Sequence, residues 1–89
     1  MQEILMKVKH FQKTFKSPTA NRPTLIPTKR SELRFALLNE ENEEYLQAVG
    51  DNDIVEVADA LGDMLYVIAG TIIEHGMQHI IMDIFNEIH

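Results

Sequence analysis

The sequence is 89 residues long, has a net charge of −6 and contains no cysteine. This length predicts one domain, residues 1–89, in which a monomer would bury only about 60–65 % of its unfolded surface, so we expect the chain to associate. The lack of cysteine excludes a disulfide framework and a thiolate metal site, and leaves the cytoplasm as the default location.

Charge is distributed unevenly along the chain. All eight lysine and arginine residues precede position 35, whereas twelve of the fourteen acidic residues follow it. Such an acidic stretch repels itself, and would repel a nucleic-acid backbone, unless something cationic is bound. The distribution therefore favours a metal ion or a basic partner and disfavours nucleic acid.

The chain opens with an amphipathic helix and a loop. Apolar residues recur at helical spacing at Ile4, Val8, Phe11 and Phe15. This spacing predicts a helix over residues 2–15 with its lysines facing solvent. The segment lacks the basic start and the cleavage site of a signal peptide. Three prolines between positions 16 and 28 remove backbone donors and predict an extended loop.

Helix two is predicted to begin at Thr28 or Ser31 and to end near Val49, where Gly50 would take the left-handed conformation that terminates a helix. The next residues, 51–53, offer a tight turn and a new N-cap. A turn this short predicts that helices two and three pack as an antiparallel pair.

Helix three is predicted over residues 54–75 and ended by Gly76, and a fourth helix is predicted between residue 78 and the end of the chain. Residues 54–73 are as long as a membrane span, but they include three acids, each of which costs about 2.5–3.5 kcal/mol near a bilayer centre. We therefore expect a buried helix of a soluble protein with no membrane partner. No segment alternates as a strand would, so the predicted fold is all-α with four helices.

Acidic residues form one stripe on each of the two central helices. On helix two, Glu41 and Glu44 project onto the same side as Leu37 and Ala48. On helix three, an arc of about 80° contains Glu56, Asp59, Asp63, Tyr66, Gly70 and Glu74. The rest of helix three is almost wholly apolar, so the acids of its stripe have to be paired, neutralised or ligated.

The two stripes lie at matching heights in an antiparallel pair. At a rise of about 1.5 Å per residue, Glu41 and Glu44 lie roughly 14 and 9 Å from the turn. On the same scale, Glu56, Asp59 and Asp63 lie roughly 5, 9 and 15 Å from it. Facing carboxylates suit Mg²⁺, with Mn²⁺ as the alternative ion. A zinc site fits these hard oxygen ligands less well. A di-iron carboxylate bundle would need Glu-x-x-His pairs, and no histidine follows a glutamate at that spacing.

Simpler roles remain open for several of these acids. Glu56 is placed to close a capping box with Asp53. The acidic run over residues 40–44 is also typical of a solvated helix face. Asp63 and Tyr66 would as readily form a buried hydrogen-bonded pair as contact a substrate.

Two ordered runs of residues carry a further indication. They are Leu37-Leu38-Asn39-Glu40-Glu41-Asn42-Glu43-Glu44 and, after a gap, Glu56-Val57-Ala58-Asp59-Ala60-Leu61-Gly62-Asp63-Met64-Leu65-Tyr66. They resemble the signature of the MazG-like all-α nucleoside triphosphate pyrophosphohydrolases, which is Glu-Glu-x-x-Glu followed by Glu-x-x-Asp. The opening helix at residues 8–15, the proline-rich loop and residues 66–71 are also similar to that family. The resemblance implies a four-helix MazG-like bundle that associates as a homodimer or homotetramer.

The resemblance also implies an activity and a set of site residues. The reaction would be magnesium-dependent hydrolysis of a nucleoside triphosphate between its α and β phosphates, which gives a nucleoside monophosphate and pyrophosphate. The residues implied as metal ligands are Glu41, Glu44, Glu56 and Asp59. The residues implied as catalytic are Glu40, which would orient or deprotonate the attacking water, and Glu41.

Substrate contacts are less specifically indicated. The candidates are Asp63, Tyr66 and Arg34. For Asp63 the resemblance implies support either of the metal site or of the sugar. The continuation of helix three at Gly70-Thr71 resembles a family branch that acts on pyrimidine deoxynucleotides, so dUTP or dCTP is the expected substrate class. In such proteins a Ser-Asn-Met-Ser-Lys-like segment that resembles a phosphate-binding element usually follows helix four, and residues 1–89 include no such segment.

A second hypothesis belongs to another functional class. A helical dimerisation module could bind a basic partner through the same acidic stripe without catalysing a reaction. Removal of magnesium separates the two hypotheses, because only the enzyme would lose activity and metal-linked thermal stability.

Overall fold

The computed structural model describes residues 1–88 and contains four α-helices in this range. They are α1 (Gln2–Thr14), α2 (Thr28–Gly50), α3 (Ile54–Glu74) and α4 (Ile81–Ile88). No strand occurs among these residues, so the predicted all-α fold with four helices is confirmed. None of the described helices combines the length and the hydropathy that a membrane crossing requires.

The chain divides into two compact units. One unit is Pro27–Ile68, which contains α2 and most of α3. The other consists of Met1–Ile26 together with the residues from Ala69 onward. The two acidic stripes predicted to face each other therefore lie largely within the first of these units.

The turn between α2 and α3 differs from the prediction at Gly50. Gly50 stays within α2, and Asn52 takes the left-handed conformation with φ 54°, so the prediction of a left-handed Gly50 is wrong. Asparagine tolerates this conformation better than most residues that carry a side chain. Asp53 then caps α3, because its Oδ1 accepts a hydrogen bond of 3.1 Å from the Glu56 amide.

Within Pro27–Ile68, α2 and α3 run antiparallel as predicted. Near the start of α2, Arg34 Nη2 donates a hydrogen bond of 2.9 Å to the backbone oxygen of Val67 on α3. Near the turn, Ala48 and Ala60 are both buried. Small side chains at a helix contact let the two backbones approach closely.

Much of α3 is exposed in the single chain. Ile54 is 78 % exposed, Val55 65 % and Leu61 48 %. The prediction of a buried helix over residues 54–73 is therefore wrong for the chain by itself. The reason is that α2 covers only one side of α3 within this unit, whereas α3 is apolar on more than one side.

The other unit has a small apolar core. Its buried members are Leu5 and Val8 from α1 and Ala69 and Ile73 from α3, and partly buried isoleucines pack against them. Phe15, which the helical spacing placed on the apolar side of helix one, is 65 % exposed. The spacing therefore identified the helix but not the full extent of its buried face.

In this unit the loop after α1 is fixed to the C-terminal end of α3. The amide of Ala20 donates to Ile73 O at 3.1 Å, and that of Thr24 donates to His75 O at 2.9 Å. His75 Nδ1 lies 2.8 Å from Thr24 O and must be the donor, because a carbonyl oxygen only accepts. Gln78 Nε2 donates to Ala20 O at 2.9 Å. The two loop amides thus bond to carbonyl groups at the C-terminal end of α3, and His75 and Gln78 donate in return to carbonyl groups of the loop.

Gly76 is the residue that permits this arrangement. Its φ is 69°, so it takes the left-handed conformation predicted to end helix three. A Cβ atom at this position would collide with the backbone of Arg22. Both the conformation and the close approach of the loop therefore require glycine here.

We predict that Gly76→Ala destabilises the protein by about 1–3 kcal/mol through backbone strain, and by more where the loop is displaced. The matched control is Gly62→Ala, since Gly62 lies inside α3 and a Cβ there meets no atom within 4 Å. The control should stabilise the protein by up to about 1 kcal/mol, because alanine favours helix. Thermal melts measure both, and equal Tm values for the two variants would contradict the prediction.

Candidate metal centre

Three carboxylates converge between α2 and α3. Glu41 and Glu44 come from the same side of α2, one turn apart, and Asp63 comes from the facing side of α3. One oxygen atom of each carboxylate lies within 4.8 Å of the others. We refer to Glu41, Glu44 and Asp63 as the acidic triad.

Glu41 is the least solvated member of the triad. Its Oε2 atom is buried and has no hydrogen-bond partner, although the residue as a whole is only partly buried. Burial raises the pKa of the Glu41 carboxyl above its ordinary value. The pKa is raised further by Glu44, which accepts a hydrogen bond from Glu41 only when Glu41 is protonated, and by the charges of Glu44, Asp63 and Glu40. A bound cation would relieve both effects, because it would solvate the orphaned oxygen and offset the negative charges.

A cavity of about 310 Å³ extends from the triad toward the turn. Its acidic lining residues are Glu44, Asp51, Glu56, Asp59 and Asp63. At roughly 30 Å³ per water molecule, this volume equals about ten waters, which is more than a bare ion requires. The cavity therefore has room for a hydrated ion together with part of an anionic ligand.

Glu56 lines this cavity although it was also a candidate for a capping box. Only half of the box is formed: the Glu56 amide donates to the Asp53 side chain, but the Asp53 amide donates to Ala48 O at 3.0 Å. The Glu56 carboxylate is therefore not needed to complete the cap. Asp59 lines the same cavity one turn further along α3.

Two lining residues were not anticipated as site residues from the sequence. Asp51 was assigned only to the turn, yet it lines the cavity, and Gln47 Nε2 lies 3.2 Å from each of its carboxylate oxygens. The spacing of four residues between Gln47 and Asp51, on a helix that already carries Glu44, is the signal that would have indicated this pair.

The remaining candidates lie outside this cavity lining. Glu40 is exposed on α2, although its charge acts on Glu41. Tyr66 is 44 % exposed. Arg34 is partly buried and its guanidinium group donates to Val67 O. The geometry thus brings Glu41, Glu44 and Asp63 closest together, with Glu56 and Asp59 along the adjoining cavity.

The donor set fits a hard divalent cation. Carboxylate oxygens are the protein ligands that Mg²⁺ and Mn²⁺ prefer. The residues that line the cavity include no histidine, lysine or arginine, so no protein cation neutralises the acids from within the lining. The orphaned Glu41 oxygen adds the requirement for an external partner.

Comparison with known protein families agrees with this geometry. The model of the family "Phosphoribosyl-ATP pyrophosphohydrolase" matches residues 8–89, which is nearly the whole chain. The chain belongs to this family. The resemblance to MazG-like pyrophosphohydrolases drawn from the acidic motifs is therefore confirmed. No sequence among the curated proteins matches the chain significantly.

Membership of the phosphoribosyl-ATP pyrophosphohydrolase family sets the general class of chemistry. The family supports a nucleotide pyrophosphohydrolase activity that depends on a metal ion. The acidic cluster on α2 and α3 supplies a donor set consistent with that class. The general assignment as a nucleotide-directed hydrolase thus rests on family membership and on the carboxylates together.

The raised pKa of Glu41 predicts how the metal-free protein responds to pH. Because the pKa is higher in the folded state than in the unfolded chain, lowering the pH from about 7 to about 5 lets the folded state take up this proton first and become more stable. Glu41→Gln removes the repelling charge, so it should raise the Tm at neutral pH and reduce the gain on acidification. Thermal melts in EDTA across this range measure both effects.

Two results would contradict this prediction. One is a Glu41→Gln variant that melts below the wild type at neutral pH without metal. The other is an identical dependence of Tm on pH in the two proteins, which would mean that Glu41 carries no excess charge repulsion.

Proposed function

We propose that the protein is a magnesium-dependent nucleoside triphosphate pyrophosphohydrolase that converts a nucleoside triphosphate and water to a nucleoside monophosphate and pyrophosphate. The observation that carries the proposal is the acidic triad, with its buried and unpartnered Glu41 oxygen, in a chain of the phosphoribosyl-ATP pyrophosphohydrolase family. Manganese is the alternative ion, since it accepts the same oxygen ligands.

The proposed metal ligands are Glu41, Glu44, Glu56 and Asp59, together with Asp63, which the helix heights had already placed among the facing carboxylates. Glu41, Glu44 and Asp63 are supported by the close approach of their oxygen atoms. Glu56 and Asp59 are supported by their place along the same cavity as Glu44 and Asp63. Of the two roles expected for Asp63, at the metal site or at the substrate, the metal site is thus the better supported.

When bound, magnesium supplies charge neutralisation for the phosphate oxygens and makes the attacked phosphorus more electrophilic. Glu40 is proposed to orient the attacking water and accept its proton as the water oxygen bonds to phosphorus. The bond between the α and β phosphates breaks in the same reaction, and pyrophosphate leaves. Glu40 is suited to this role because it is exposed and adjoins Glu41, which holds the metal.

The substrate class is proposed from resemblance and not from a contact in the structure. The Gly70-Thr71 continuation favours a pyrimidine deoxynucleotide such as dUTP or dCTP. The name of the matching family adds phosphoribosyl-ATP as a substrate to be tested. Tyr66 remains a proposed substrate contact, whereas Arg34, the other candidate from the sequence, donates to Val67 O. The site is expected to operate in the cytoplasm, without a membrane or nucleic-acid partner.

Association into a homodimer or homotetramer is part of the proposal. Large apolar side chains of α2 and α3 are exposed in the single chain, with Phe35 at 73 %, Leu46 at 69 % and Ile54 at 78 %. A monomer seldom leaves this much apolar surface in water, so a second copy is the partner that we expect to cover it.

The alternative function is a non-catalytic helical dimerisation module that binds a basic partner through the acidic stripe. The same exposed apolar and acidic surfaces favour it. It does not account for a buried carboxylate oxygen that no side chain of the protein satisfies.

Hydrolysis of a nucleotide panel with magnesium tests the reaction. The panel contains dUTP, dCTP, the other common triphosphates and phosphoribosyl-ATP, and the assay distinguishes pyrophosphate from orthophosphate. We expect pyrophosphate, and a loss of at least about 100-fold in activity for Glu44→Ala and for Asp59→Ala, because each removes a proposed ligand. Glu43→Ala is the matched control: it removes an exposed acid of the same helix outside the triad and the cavity lining, and should retain activity.

The outcomes separate the two functions. Orthophosphate as the product, or full activity of both ligand variants, would contradict the proposed mechanism. Absence of hydrolysis on every nucleotide, in protein shown to be folded and to contain any segment that follows residue 89 in the natural chain, would favour the dimerisation module.

Magnesium removal provides a test that does not depend on the substrate. A ligand at 100 times its Kd stabilises the folded state by about 2.7 kcal/mol, so saturating magnesium should raise the Tm clearly above that in EDTA. Glu44→Ala should lose most of this rise, whereas Glu43→Ala should keep it. Identical melts of the wild type with magnesium and with EDTA would argue against a resident ion and for the dimerisation module.

A further inference from the structure

The Arg34 side chain joins α2 to α3 beyond the acidic triad. Its Nη2 atom donates a hydrogen bond of 2.9 Å to Val67 O, and the pair is partly buried. Arg34 precedes Glu41 by seven residues on α2, which is about two helical turns and about 10 Å. Val67 follows Asp63 by four residues on α3, which is about one turn and 6 Å.

On the opposite side of the triad, α2 and α3 are joined by the turn. The chain reverses at the turn after Gly50, and Ala48 and Ala60 are buried beside the acidic cavity. The triad thus lies between two points at which α2 and α3 are fixed to each other: the covalent turn at one end and the Arg34–Val67 hydrogen bond at the other.

The acids between these points push the helices apart. Three carboxylates with oxygen atoms within 4.8 Å repel one another when no cation is bound. Apolar packing offers limited resistance within Pro27–Ile68, because the buried residues there are Ala48, Ala60 and Val67. A hydrogen bond from a charged donor opposes this separation, because such bonds are stronger than neutral ones. Val67 O can accept it, because a carbonyl oxygen has a second lone pair beyond the one used within its helix.

We propose that Arg34 is a positioning residue, whose hydrogen bond to Val67 O keeps α2 and α3 close enough for Glu41, Glu44 and Asp63 to bind one divalent cation. This inference rests on the proposed function, because it assumes that the triad holds a metal ion. Arg34 then acts on the metal through the helix spacing, without touching the ion or the nucleotide.

Two other roles for Arg34 lead to different results. If Arg34 contacts the nucleotide, as the sequence suggested, its loss raises the KM for nucleotide and leaves metal binding without nucleotide unchanged. If Arg34 acts only as a nearby positive charge, its removal strengthens binding of a divalent cation, because one repelling charge has gone. The positioning role alone predicts weaker metal binding in the absence of nucleotide.

The test is a titration of the metal-free protein with Mn²⁺ alone, in which electron paramagnetic resonance measures the free ion. Arg34→Met keeps much of the length of the side chain but has no donor, and we expect it to weaken Mn²⁺ binding about ten-fold or more. Arg34→Lys keeps the charge and a donor on a shorter chain, so its affinity should lie between those of Arg34→Met and the wild type. Lys29→Met is the matched control, since it removes an exposed cation from the first turn of α2 and should bind Mn²⁺ as the wild type does.

Circular dichroism establishes that each variant is folded, and steady-state kinetics with magnesium provide the KM and kcat. Unchanged or tighter Mn²⁺ binding by folded Arg34→Met overturns the proposal. If Arg34→Met does not fold, Arg34→Lys decides: weaker Mn²⁺ binding with an unchanged nucleotide KM supports positioning, and affinity equal to that of the wild type overturns it. A wild type that binds no Mn²⁺ instead contradicts the proposed function itself.

Discussion

Repulsion among carboxylates held between two helices is the constraint on which this structure depends. Glu41, Glu44 and Asp63 approach within 4.8 Å, and one oxygen of Glu41 is buried without a partner. An arrangement of this kind is unfavourable without a cation, and it persists only where other contacts keep the helices together. The short turn after α2 and the Arg34 side chain are contacts of that kind.

The two compact units secure their helices by different means. In Pro27–Ile68 a side chain, Arg34, reaches a backbone oxygen of the facing helix. In the other unit, the loop after α1 supplies backbone amides to the carbonyl groups at the end of α3, and Gly76 allows the loop to come close. The backbone hydrogen bonds of the loop satisfy polar groups that any helix end exposes. The Arg34 hydrogen bond instead opposes the electrostatic repulsion within the acidic triad.

Spacing in the sequence was sufficient to predict four helices, the antiparallel α2–α3 pair and the two acidic stripes. These features follow from local periodicity and from the length of one turn. The prediction at Gly50 was wrong because Gly50 and Asn52, two residues apart, can both take the left-handed conformation, and the sequence does not decide between them. The burial of α3 was misjudged because periodicity reports that a surface is apolar, and not what covers it.

Spacing in the sequence also did not predict which of the acids lie closest together. Projection on an ideal helix placed Glu56, Asp59 and Asp63 on one arc without ranking them, whereas the structure brings Asp63 closest to Glu41 and Glu44. The height estimate paired Asp63 with Glu41 and Asp59 with Glu44, and it did not decide which pair lies closer. That choice depends on how α2 and α3 are aligned along their axes, which the length of the turn does not determine. The long-range Arg34–Val67 contact could not be predicted for the same reason.

An acidic site of this kind also constrains the order of events under the proposed function. The cavity lining offers no lysine, arginine or histidine to a triphosphate, so an unmetallated site would repel the substrate. Metal binding must therefore precede nucleotide binding or accompany it, and each ligand must raise the affinity for the other by the same factor. The carboxylates that make the metal-free protein less stable are, by this linkage, the groups that make nucleotide binding conditional on the metal. A site built from acids alone thereby discriminates against polyanions that arrive without a divalent cation.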